Sequence, residues 1–70
     1  MKIVCAKLKE LRLENNLTQQ DVAKILKVSR PAYNRYENCE RELPFVMLRK
    51  LADFYDVSLD YLAERDKFYK

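Results

Sequence analysis

The sequence predicts an all-α fold of five short helices around a single core. Apolar residues recur at spacings of three and four almost throughout, the period of a helix with one buried face. Runs of Val, Ile or aromatic residues at period two are absent. Side chains suited to capping helices stand in front of the apolar runs. The chain's 70 residues allow one domain, expected over 1–70 with its core at 4–64 and a tail at 65–70. A chain of this size buries only about 60% of its unfolded surface, so its stability is expected to be modest.

The first helix rests on Val4, Leu8 and Leu11, one stripe, with Lys7, Lys9, Glu10 and Glu14 off it. Asn15-Asn16 end it, because asparagine tolerates the left-handed conformation that closes a helix. Leu17 is placed as an apolar plug between this helix and the next. Thr18 is the expected N-cap of the second helix, with Asp21 in its first turn and Val22, Ala23 and Leu26 on its buried side. Ser29 caps a third helix, with Pro31 in its first turn, where a missing amide hydrogen costs nothing. That helix runs to about Asn38 and buries Tyr33 and Tyr36. Beyond the charged loop Cys39-Glu40-Arg41-Glu42, a fourth helix places Phe45, Leu48, Leu51, Ala52 and Tyr55 on its core side. Ser58 caps a short fifth carrying Leu59 and Leu62.

What is missing narrows the chemistry. With no histidine there is no imidazole base and no His metal ligand; with no glycine there is no phosphate-cradling loop. Two cysteines 34 positions apart make no zinc site, so neither an enzyme, a metal nor a cofactor is expected. In a reducing compartment Cys5 and Cys39 are expected as free thiols, Cys5 packing as a small hydrophobe; a disulfide is the less favoured alternative. No uncharged run exceeds six residues and no signal peptide is visible, so no membrane span and a cytoplasmic location are expected.

Residues 17–37, LTQQDVAKILKVSRPAYNRYE, carry the function. Two short capped helices joined by a turn of three or four residues form a helix-turn-helix, whose second helix enters the DNA major groove. With Tyr33 and Tyr36 inward, Arg30, Pro31, Asn34 and Arg35 share the outer face. Arginine pairs with the O6/N7 edge of guanine and asparagine with the N6/N7 edge of adenine, each worth roughly 1–3 kcal/mol of discrimination.

Three stretches, LKELRLENNLTQQDVAKILKVSR, YNRYEN and LRKLADFYDVSLDYLAE, resemble the Cro/repressor-type helix-turn-helix proteins of the Xre family. The resemblance covers about Val4 to Glu64 and implies a compact five-helix, lambda-repressor-like DNA-binding domain whose second and third helices form the reading unit. It implies base contacts from Arg30, Pro31, Asn34 and Arg35, with Pro31 offering apolar contact to a thymine methyl. It implies phosphate contacts from Gln19, which also braces the recognition helix, and from Asn38 and Arg41; Lys27 and Ser29, in the turn, are added to that set. Glu37 matches a glutamate that pairs with an arginine of the first helix, here Arg12. Asn16, Lys27 and Cys39 stand where relatives commonly have glycine. A left-handed Lys27 costs roughly 1 kcal/mol. Glu40 and Glu42 stand where basic residues are common.

The net charge of +3 is no polybasic stripe, so modest monomer affinity and a shallow salt dependence are expected, and two subunits on the DNA. Val46, Met47, Tyr61 and Phe68 are the candidate dimer surface; Phe54 is assigned to the core. The leading expectation is a repressor that binds a palindromic operator in double-stranded DNA as a homodimer. On it, Gln19→Ala weakens binding to all sites alike. The alternative is a protein-interaction module on the same scaffold, an antitoxin or a bridging factor with a protein partner.

Overall fold

The computed structural model describes residues 5–63. Within them lie α1 (Cys5–Glu14), α2 (Gln19–Leu26), α3 (Arg30–Glu37), α4 (Phe45–Tyr55) and α5 (Leu59–Ala63), with no strand among the described residues. Val4 and Phe68 lie outside them.

Most of the helices start where a side chain can satisfy an orphan amide. Thr18 Oγ1 accepts from Asp21 N (3.0 Å) while Asp21 Oδ2 accepts from Thr18 N (2.9 Å), a reciprocal capping box. The bonded amide and hydroxyl of Thr18 hold the Asp21 carboxyl below its usual range. Ser29 Oγ accepts from Ala32 N (3.2 Å) at the start of α3, and Ser58 Oγ from Tyr61 N (3.0 Å) at the start of α5. Helix α4 begins on Pro44 with no side-chain cap.

The helix ends show how a chain without glycine turns corners. Four residues take the left-handed conformation, Asn16 (φ 57°), Lys27 (φ 60°), Cys39 (φ 62°) and Asp56 (φ 58°). Each closes its helix with the same two bonds. After α2, Lys27 N donates to Lys24 O (3.2 Å) and Val28 N to Ala23 O (3.0 Å). After α3, Cys39 N donates to Tyr36 O (3.3 Å) and Glu40 N to Arg35 O (2.9 Å). Asn and Asp tolerate this conformation, whereas Lys27 and Cys39 have no such latitude.

The core draws on every helix: Leu8 and Leu11, then Val22, Ala23 and Leu26, Tyr33 and Tyr36, Leu48, Leu51 and Ala52, and Leu62. Leu43, in the loop before α4, joins them, which the helix pattern alone did not place. Phe45 and Phe54, expected inside, are instead 55% and 48% exposed. Helix α4 is amphipathic with a narrow buried stripe of Leu48, Leu51 and Ala52, and the row that carries Phe45 falls outside it. Leu17 and Met47 pack half-buried against the core.

The expectation of two free thiols is corrected. Cys5 and Cys39 form a disulfide, their Cα atoms 5.6 Å apart, within the range that a bridge spans without backbone movement. The left-handed Cys39 turns the chain after α3 back onto the first residue of α1, so a separation of 34 in sequence becomes adjacency in space. The bridge encloses all of α1, α2 and α3. No helix among the described residues is long and apolar enough to cross a membrane.

Candidate nucleic-acid interface

Helices α2 and α3 pack on each other through Val22, Ala23, Leu26, Tyr33 and Tyr36, joined by a turn at residues 27–29. The buried tyrosines leave Arg30, Pro31 and Arg35 exposed on the outer side of α3, and Lys24, Lys27 and Ser29 exposed beside them. Asn38 and Arg41 are exposed just beyond the end of α3. Asn34 differs from its three neighbours in the base-facing set: it is half-buried, and its side chain is engaged.

What engages it is a polar cluster beneath the exposed face. Arg12 Nε donates to Glu37 Oε2 at 2.6 Å and Nη2 to Glu37 Oε1 at 3.3 Å, a two-pronged pair between α1 and α3. Both residues are only 8% exposed. The third prong, Nη1, donates to Leu17 O (2.9 Å) and so fastens the α1–α2 connection to the same point. Gln19 Nε2 donates to Glu37 Oε1 (3.1 Å) and to Asn34 Oδ1 (2.8 Å). Arg12, Glu37, Gln19 and Asn34 are thus brought together, tying α1, the start of α2 and the recognition helix into one unit.

Electrostatics keep the cluster ionised. Burial alone would push the Glu37 carboxyl up, but the side chains of Arg12, Tyr33 and Gln19, in that order, hold it below its ordinary value. The same bond to Glu37 raises the Arg12 guanidinium further. Two phenols pack close by. Burial, and then the Glu37 carboxylate, push Tyr33 well above the usual tyrosine range; the same causes push Tyr55 up to about 12.

The remaining candidates fall elsewhere. Val46 is 69% exposed on α4 and, with Phe45, Arg49, Lys50 and Asp53, lines a shallow groove, whereas Met47 turns towards the core. Tyr61 is 40% exposed on α5, and Lys7 of α1 sets its ammonium 4.5 Å from the ring centre. Phe68 lies outside the described residues. Among the described residues no cluster of three or more acidic or sulfur side chains is placed to hold a metal.

Sequence reasoning missed the Gln19–Asn34 contact. The signal was the register: Asn34 and Glu37 are three apart, so a residue on the outer face at 34 also borders the Glu37 row.

Comparison with known proteins points one way. The helix-turn-helix family model matches residues 8–62. The uncharacterized HTH-type transcriptional regulator YqaE of Bacillus subtilis is 46% identical over 57 residues, covering 81% of this chain and 49% of the relative. A second from the same organism, YobD, is 34% identical over 58 residues, covering 83% and 52%. The chain thus spans about half the length of these curated relatives. The crystal structure of a transcriptional regulator from Listeria innocua superposes with a TM-score of 0.82 at 25% identity, covering 91% of this chain and 61% of that one.

Proposed function

The chain belongs to the Xre-type helix-turn-helix family, and on that basis we propose that it is a sequence-specific DNA-binding transcriptional regulator. Helix α3 lies in the major groove with Arg30, Pro31, Asn34 and Arg35 towards the bases. Lys27, Ser29, Asn38 and Arg41 lie towards the phosphates, and Gln19 holds the recognition helix in place. One observation carries this reading. The exposed side of α3 holds two arginines without an acidic partner among the described residues, on a helix made rigid by the Arg12–Glu37–Gln19 cluster beneath it. Exposed guanidiniums on a fixed frame suit bidentate recognition of guanine.

The regulator acts in the cytoplasm and represses by occupying a palindromic operator as a homodimer. Two features support a dimer: a net charge of only +3, which leaves one subunit weakly held on DNA, and the exposed Phe45 and Val46 on α4. Twofold symmetry then places two half-sites about one turn of DNA apart.

Selection of bound duplexes from random DNA by the full chain tests the function, with sedimentation of the free and DNA-bound protein beside it. The expected result is an enriched two-half-site sequence and a dimer on DNA. Unenriched sequences, together with a stable complex with another protein from the source cell, would favour an interaction module on the same scaffold.

A further inference from the structure

One buried hydrogen-bond chain decides which groups of the recognition helix face outward. An amide nitrogen has two hydrogens to give and no lone pair to offer. Gln19 Nε2 gives to Glu37 Oε1 at 3.1 Å and to Asn34 Oδ1 at 2.8 Å. The first bond sets the orientation of Gln19. Glu37, paired with Arg12 at 2.6 Å, is an ionised carboxylate and only accepts, so the nitrogen of Gln19 faces it. The second bond then sets Asn34. Whatever faces Gln19 Nε2 must accept, so Asn34 turns its oxygen inward and its amino group away. No acceptor among the described residues takes the Asn34 Nδ2 hydrogens.

We propose that Gln19 is a positioning residue that presents Asn34 to DNA as a hydrogen-bond donor alone, so that α3 reads a guanine, not an adenine, at the base pair Asn34 faces. The inference rests on the DNA-reading role proposed above and specifies it. Bidentate recognition of adenine requires the amide oxygen and nitrogen side by side, one accepting from N6 and the other donating to N7. Here the oxygen is held against Gln19. Guanine offers O6 and N7, two adjacent acceptors, to an outward amino group. The same arrangement changes what Gln19 does. Both Nε2 hydrogens are in use, so its side chain has no donor left for a phosphate. Its loss therefore alters base preference at one position instead of weakening all sites alike.

The test is random-site selection with the wild type, Asn34→Ala and Gln19→Met, the last a near-isosteric change that keeps a good helix former. Asn34→Ala identifies the base pair by loss of preference there. The wild type is expected to select G·C over A·T at that pair by roughly tenfold. Gln19→Met, which frees the amide to turn, is expected to bring the two pairs within about twofold while preferences elsewhere hold. A wild-type A·T preference at that pair overturns the inference alone, as does a Gln19→Met variant that binds every site more weakly by one factor. No selected sequence at all overturns the DNA-reading role as well. Should Gln19→Met not fold, NMR of the free wild type decides the same point. Both Gln19 Nε2 hydrogens are expected to exchange slowly and the Asn34 Nδ2 hydrogens as in a solvated amide; the reverse order overturns the inference.

Discussion

Replacing Arg12 by methionine keeps most of its aliphatic volume and removes the guanidinium. Glu37 then loses the donors at 2.6 and 3.3 Å, while Gln19 stays at 3.1 Å. The stranded side chain is 2% exposed, and breaking a pair so buried by removing one partner costs about 3–5 kcal/mol. Leu17 O also loses its donor at 2.9 Å, worth about 1 kcal/mol more. A 70-residue domain has a total stability of only about 4–10 kcal/mol. The melting temperature at pH 7 should therefore fall by at least about 15 °C, at roughly 4–8 °C per kcal/mol. The loss has a pH signature. In the variant the buried carboxyl has a raised pKa, so the deficit is largest well above the unfolded value of about 4.3 and shrinks on acidification. The assay is thermal unfolding by circular dichroism at pH 7 and pH 5 for the wild type, Arg12→Met, Glu37→Leu and the double variant. An apolar pair leaves no stranded charge, so the double variant should be at least about 2 kcal/mol more stable than additivity allows (about 0.5–3 is usual for coupled neighbours). Single variants within about 0.5 kcal/mol of the wild type, or strict additivity, would strip the pair of this role.

Three further outcomes are expected. Reducing the Cys5–Cys39 bridge, which spans 34 positions, should remove about 4 kcal/mol of loop-closure stabilisation; a melt with and without reductant reads it, and a shift under about 2 °C would contradict the linkage. Lys27→Gly relieves a left-handed lysine (φ 60°) and should raise stability by about 1 kcal/mol in denaturant unfolding while weakening DNA binding, since the phosphate contact proposed for Lys27 would be lost. Tyr33 and Tyr55 have folded-state values raised above the unfolded one, Tyr55 to about 12. Their stabilisation is fully present below the unfolded value of about 10 and is lost as pH rises beyond it. Melting temperature should therefore hold from about pH 7 to 9.5 and fall steeply above about 10. Tyr55→Phe, which removes a buried hydroxyl without a hydrogen-bond partner among the described residues, should soften that fall at no cost in stability at neutral pH.

The parts of the molecule governed by local chemistry were legible in the sequence. Thr18, Asp21, Ser29 and Ser58 cap helices because a short side-chain oxygen next to an orphan amide leaves few other options. Leu8, Leu11, Val22, Leu26, Leu48 and Leu51 reach the core because their spacing puts them on one side. What depends on the mutual approach of distant segments was not legible. Phe45 and Phe54 share the apolar character of core residues, yet only the packing of α4 decides which apolar rows are covered. The disulfide needed the left-handed turn at Cys39, a conformation that residue type argues against. The Gln19–Asn34 bond needed the distance between α2 and α3. Counting exposed polar residues on α3 places Asn34 with Arg30 and Arg35, whereas the structure divides them.

Whether the outer face of α3 reads bases is decided by binding of Arg30→Ala and Arg35→Ala to the selected site, to its single-base variants and to random DNA at fixed salt. Each variant should lose preference at one base pair per half-site, about 1–3 kcal/mol there, with binding to random DNA weakened far less. Loss by the same factor on selected and random DNA would contradict base reading by this face.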